Sequence, residues 1–262
     1  MTVDDSVRLF DLQGKHALVT AASGPLARAL AVALAEAGAD VSVTTLCDDP
    51  GEEAQANSIL NECWSIGRIG QARRLDLTDL EATTDAVASI EREVRPVDIL
   101  VNASHGANIK PIIDVSLADW ENEFARNVTS VFVATRVVGA GMLERGWGRV
   151  VNIVSILSER GAPNCALFGA SQGAVLSFTK SVGLEWARRG VTANALGVGF
   201  FEGLPGPQSD LEIREMMEDF IPLGRLGKPE DLQGAVVYLV SDEAAFVDSS
   251  VFVVDGALQS RI

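Results

Sequence analysis

The sequence predicts an α/β fold: a doubly wound, seven-stranded parallel sheet with helices on both faces, folded as a single domain over residues 1–262. Two observations lead there. Short β-branched runs alternate with longer helical patterns from end to end, and several of the runs are apolar with little alternation, as strands are when helices cover both faces of a sheet. No low-complexity linker or internal repeat divides the chain.

The elements follow in order. His16–Thr20 reads as the first strand, with His16 expected at the surface. Pro25–Ala37 reads as a helix because proline suits a first turn and Gly38 follows its end. Val41–Thr45 and Ala72–Leu77 are the next strands, and Thr78 with Glu81 resembles a capping box that opens the following helix. Ile99–Asn102 is the fourth strand and Leu117–Leu143 a long helical pattern. Val150–Val154, the helical pattern Ala166–Arg189 and the strand Thr192–Leu196 come next. The tract GFFEGLPGPQSD, Gly199 to Asp210, then breaks the rhythm and leads into an acidic amphipathic segment, so 199–220 is expected to lie over a cleft. Pro229–Val240 and Val251–Val254 complete the pattern.

The 262 residues are 47% hydrophobic and 22% charged, enough apolar surface to bury a sizeable core. Lys and Arg number 21 against 36 Asp and Glu, a net charge of −15 that repels phosphate backbones and anionic headgroups. Nucleic acid and membrane partners are therefore not expected. Apolar runs fall short of the roughly 20 residues of a spanning helix. The opening MTVDDSVRLFDLQGK has neither the basic start nor the apolar stretch of a secretory signal, which points to the cytoplasm. Cys47, Cys63 and Cys165 are odd in number and scattered, which fits reduced thiols and neither a disulfide framework nor a zinc site.

Ligands of doubly wound sheets sit at the carboxyl ends of strands near the switch point in strand order. There the local sequences are ALVTAAS at the first strand, LDLTD after the third, DILVNAS at the fourth, RNVTSVF in the long helix and GRVVNIVS at the fifth; GVTANALGVG, GRLGKPEDLQGAVVYLVSDEAAF and VFVVDGA follow. In order and spacing, over essentially the whole chain, they resemble the short-chain dehydrogenase/reductase family. The resemblance implies a Rossmann-type domain, hydride transfer between NAD or NADP and an alcohol or ketone, and dimers or tetramers.

Within that resemblance the chain reads as a degenerate member. The family's Thr-Gly-x-x-x-Gly-x-Gly turn is here Thr20, Ala21, Ala22, Ser23, Gly24, Pro25, Leu26, Ala27. The motif glycines, which allow a tight turn and close approach of a pyrophosphate, are absent, and Pro25 removes one N–H donor. Thr45 and Leu46 end the second strand where a NAD-selective member carries an acid, and no basic residue in the turn favours NADP. Ser23, Gly24, Asp76 and Asn102 remain as residual cofactor-binding candidates; Asp76 also reads as a helix cap and Asn102 as a support for loop backbone. Phe168 and Gln172 stand at the positions of the family's catalytic Tyr and Lys, and the only tyrosine, Tyr238, lies in an apolar helical pattern. A missing positioned acid costs about 10²–10⁴ in rate.

Ser155, Asn127 and His105 are the catalytic candidates that remain; for the first two, local hydrogen bonding is the alternative reading. His105 should project into the cofactor cleft, where an imidazole of ordinary pKa ~6.5 exchanges protons or merely fills space. Glu159 and Arg160 read as a solvated pair on the cleft rim, and Glu202 lies in the cleft loop. Three readings follow. The first is a catalytically silent subunit with no cofactor, assembled as a homo- or hetero-oligomer with an active homologue. The second is an NAD- or NADP-dependent oxidoreductase with an atypical site, acting on an alcohol or ketone, coenzyme A thioesters included. The third is a cofactor-free lyase, isomerase or hydrolase built on His105.

Overall fold

The computed structural model describes residues 9–204 and 211–260. Seven parallel strands run in the order β3-β2-β1-β4-β5-β6-β7: β1 His16–Thr20, β2 Asp40–Thr44, β3 Ala72–Arg73, β4 Ile99–Asn102, β5 Gly148–Ser155, β6 Val191–Val198 and β7 Val251–Val254. The order reverses between β1 and β4, so a crevice opens beyond Thr20 and Asn102. The expected fold class stands.

Successive side chains on a strand point to opposite faces, and both faces are apolar here. Val19, Val101 and Ile153 meet α1 (Gly24–Glu36), α2 (Pro50–Ser65) and α8 (Gln233–Val240). Leu18, Leu100 and Val150 meet α3 (Leu80–Glu93), α5 (Ser130–Arg145) and α6 (Ala166–Trp186). Two further helices are α4 (Leu117–Phe124) and α7 (Leu211–Phe220).

Several expectations are corrected. β3 is two residues long rather than the predicted Ala72–Leu77, because Thr45 Oγ1 accepts the Leu75 N–H and donates to its carbonyl, drawing the chain out of the ladder. Asp79, not Thr78, caps α3: its carboxylate accepts from the N–H groups of Glu81 and Ala82. The predicted helix Leu117–Leu143 is divided by a π-turn at Ala125–Thr129 into α4 and α5. His16 is fully buried, its Nδ1 2.7 Å from the Arg95 carbonyl and its Nε2 2.9 Å from Ser42 Oγ. In the expected cleft loop 199–220, Glu202 pairs with Arg214 at 2.8 Å, while 205–210 lie outside the described residues. Glu159 and Arg160 do not pair with each other; Glu159 faces Lys180 and Arg160 donates to the carbonyls of Leu258 and Gln259.

The close approach of β2 to the segment before β3 is set by Gly70, where an added Cβ would lie 1.7 Å from the Val41 carbonyl oxygen. Gly70→Ala is expected to destabilise the domain by about 2–3 kcal/mol through overpacking. Urea unfolding should show a lower midpoint at an unchanged slope.

Candidate functional site

At the crevice between β1 and β4 lies a cleft of about 220 Å³. Its first wall is the turn after β1. Ala21 sits there in the left-handed region at φ 52°, followed by Ser23 as the residue before α1 and Gly24 at φ 75°. A left-handed alanine costs about 1–2 kcal/mol, so surrounding structure imposes this conformation. The glycine has gone and the backbone shape that glycine favours has stayed. The donors of the turn, however, are largely taken. Ala22 N–H donates to the Thr44 carbonyl, Ser23 N–H to that of Ala21 and Gly24 N–H to Gln55 Oε1 at 2.8 Å, while Pro25 has none. Gly203 of the loop after β6 packs against Pro25 and closes this end.

The opposite wall is the segment after β4, Ala103 to Gly106. Asn127, buried in the π-turn, clamps it: its Oδ1 accepts the Gly106 N–H at 3.1 Å and its Nδ2 lies 2.8 Å from the Gly106 carbonyl, 2.9 Å from Glu123 Oε1 and 3.1 Å from Ser171 Oγ. Such a side chain holds a loop in place and has little left for a substrate. π-turns recur at functional sites for this kind of displacement.

His105 stands on the clamped segment. Its ring meets Phe168 edge-on, centroids 5.4 Å apart at 90°, and its buried Nδ1 has no partner among the described residues. Burial lowers the imidazole to about 4, so it is neutral near pH 7. Ser155, at the end of β5, accepts the Leu157 N–H on Oγ at 3.2 Å, which leaves its hydroxyl hydrogen to donate. Gln172 Oε1 accepts the Ser155 N–H at 2.9 Å, and its buried Nε2 is unpaired among the described residues. A lysine at this position has no acceptor and could not hold Ser155 in that way.

The remaining candidates are structural in their contacts. Asp76 accepts from Thr78 N–H and Oγ, at 2.9 and 2.7 Å. Asn102 Nδ2 donates to Thr135 Oγ1 and Asn152 Oδ1, and its Oδ1 accepts from Thr20 Oγ1. Ser23 and Gly24 line the cleft. Sequence reasoning missed Gln55, Glu123 and Arg126. Gln55 comes to the turn from α2, 31 positions away, and Glu123 sits in the charged run ENE where nothing marks one carboxyl as buried. Arg126 lies beside Asn127, a position the resemblance does mark, and that adjacency was the available signal.

Residues 21–258 match the family model described as enoyl-(acyl carrier protein) reductase. The chain is 36% identical over 253 residues to gluconate 5-dehydrogenase of Gluconobacter oxydans (strain 621H), covering 95% of this chain and 96% of that one. It is 35% identical over 256 residues to 2-dehydro-3-deoxy-D-gluconate 5-dehydrogenase of Bacillus subtilis (strain 168), covering 96% and 97%. The crystal structure of a gluconate 5-dehydrogenase from Burkholderia cenocepacia J2315, in complex with NADP and tartrate, superposes with a TM-score of 0.89 at 30% identity over 97% of this chain and 98% of that one. These findings overturn the expectation of a silent, cofactor-free subunit: relatives of near-full coverage are dehydrogenases, one of them with NADP in place. The preserved turn shape and cleft agree with the correction, and the pairing with an active homologue loses its basis. Among the described residues, no helix is long and apolar enough to cross a membrane.

Burial pushes the Glu123 carboxyl up to about 7, against the pull of the Arg126 charge and of hydrogen bonds from Asn108 and Asn127. A carboxyl raised on folding contributes stability that is present below its unfolded value and lost as pH rises through its folded one. Between about pH 4.5 and 8, Glu123→Gln should therefore gain on the wild type by roughly 2 kcal/mol. Urea titrations of both proteins at pH 5 and 8 check the sign; an unchanged difference would return Glu123 to an ordinary surface carboxylate.

Proposed function

The chain belongs to the short-chain dehydrogenase/reductase family, and from that premise we propose that it is an NAD(P)-dependent oxidoreductase of a secondary alcohol or ketone in a polyhydroxy acid, working through an atypical proton-handling group. The observation that carries this reading is His105: a neutral imidazole with a free Nδ1 in the cleft wall, pressed against Phe168, the residue in the family's acid position.

The left-handed turn and the cleft fit the phosphate-bearing part of a dinucleotide, and the buried His105 Nδ1 in the cleft wall has no partner among the described residues. Ala21, Ser23 and Gly24 would line its phosphate-bearing part without supplying main-chain donors from Ser23 or Gly24. A nicotinamide dinucleotide supplies the hydride acceptor or donor. The His105 imidazole would accept the proton of the substrate hydroxyl, and Ser155 Oγ–H would orient the same oxygen. Because Phe168 excludes water from the imidazole, His105 remains unprotonated over the neutral range, and Asn127 keeps its loop in register through Gly106.

The test is reduction of NAD and NADP by gluconate and related polyhydroxy acids. Turnover is expected in the wild type, with an acid limb that falls only as pH approaches the low His105 value, and His105→Phe should lower kcat/KM by about 10²–10⁴. No turnover with either cofactor over the panel would refute the reading; full activity of the variant would remove His105 from it.

In the same reading the chain self-associates through α5 and α6. On α6, Val182 is buried in the monomer, whereas Phe178 stays half-buried and meets Phe132 of α5, which is 44% exposed. Two such rings at the surface are better covered by a second copy. Phe132→Glu should shift the protein to a smaller species in light scattering coupled to size exclusion; an unchanged mass would place the interface elsewhere.

A further inference from the structure

The turn after β1 leaves a charge unanswered. Its N–H groups at Ala22, Ser23 and Gly24 are engaged within the protein, and Pro25 contributes none. A pyrophosphate laid against this wall would meet few free donors, in a chain whose net charge is −15.

A cation faces the turn from the other wall. Arg126 lines the same cleft as Ser23 and Gly24, and also the neighbouring one of about 320 Å³ beside Glu123. Its guanidinium has no ion pair or side-chain hydrogen bond among the described residues, although arginines elsewhere are paired: Arg28 with Glu62, Arg74 with Asp48 and Glu53. Glu123, one turn earlier, is committed to Asn127. The root of the side chain is fixed. The Arg126 carbonyl accepts both Ser104 Oγ at 2.6 Å and Ser130 Oγ, so the π-turn is fastened to the segment after β4 and the guanidinium cannot drift from the cleft with its backbone. Its charge reaches across the cleft, where it opposes the upward push of burial on the Cys47 thiol just beyond β2.

We propose that Arg126 anchors the phosphates of the nicotinamide dinucleotide, supplying from the π-turn the positive charge and donors that the turn after β1 withholds. The proposal rests on the oxidoreductase reading above. A guanidinium offers paired donors suited to phosphate oxygens.

The experiment is calorimetric titration of the wild type, Arg126→Ala and Arg126→Lys with NADP, NAD and ADP, at low and at high salt, with circular dichroism to confirm the fold. The expected result is that Arg126→Ala weakens the dinucleotides and ADP alike by tenfold or more and flattens the salt dependence, with Arg126→Lys in between. Equal affinities for the wild type and Arg126→Ala would overturn the inference and leave the cofactor reading intact. Unchanged ADP affinity with a raised KM for gluconate would overturn it too, by assigning the guanidinium to a substrate carboxylate. A wild type that binds none of the three would overturn this inference together with the reading beneath it.

Discussion

The buried amide of Asn102 holds the crevice in shape. Asn102 joins Thr20 at the end of β1, Thr135 on α5 and Asn152 on β5, and Asn152 in turn donates to Thr179 on α6. Three strands and two helices are thus tied by side chains at the point where strand order reverses. Each group in the chain is fully buried and paired, so loss of any one would strand a polar partner in the core at about 1–3 kcal/mol. Three segments of the site leave this hub within a few residues. The turn with Ala21 follows Thr20, the segment with His105 follows Asn102, and Ser155 ends the strand that carries Asn152.

Because the hub fixes where the strands end, the residues beyond them have been free to change chemistry without losing position. Ala21 keeps a left-handed backbone without glycine. Gln172 uses its amide oxygen to hold Ser155, a bond that a lysine could not make. Phe168 presents an apolar ring edge-on to His105, whose burial keeps it neutral.

The sheet was legible in the sequence because its strands are apolar on both faces, and the site positions were legible because local sequences such as DILVNAS and GRVVNIVS mark strand ends. What failed to show depends on distance or on burial. The shortness of β3 comes from Thr45 capturing Leu75, 30 positions away. His16 looked like a surface residue because its acceptors, the Arg95 carbonyl and Ser42, are supplied by other elements. The loss of turn glycines suggested a lost turn, since sequence records the residue and not the φ angle that tertiary packing can impose on an alanine. The functional inference failed for the same reason: it equated missing residue types with a missing site.

The charge balance gives the site its remaining logic. An acidic chain binding an anionic cofactor faces a repulsive average field, but at physiological salt that field fades over roughly 8 Å. What a phosphate meets in the cleft is therefore set by groups within a few ångströms. The nearest acids at the end of β2 are already engaged: Glu52 accepts from the N–H groups of Leu46 and Cys47, while Asp48 and Glu53 bind Arg74. Burial pushes the Glu123 carboxyl up to about 7, which reduces its negative charge near neutral pH. The cation on this cleft wall is Arg126, whose guanidinium forms no ion pair among the described residues and whose charge bears on Glu123. In the reading proposed above, an arginine at the mouth of the site would place positive charge where an anion is held and keep it apart from where protons are exchanged. A neutral base and a separate cation would then divide these two tasks between them.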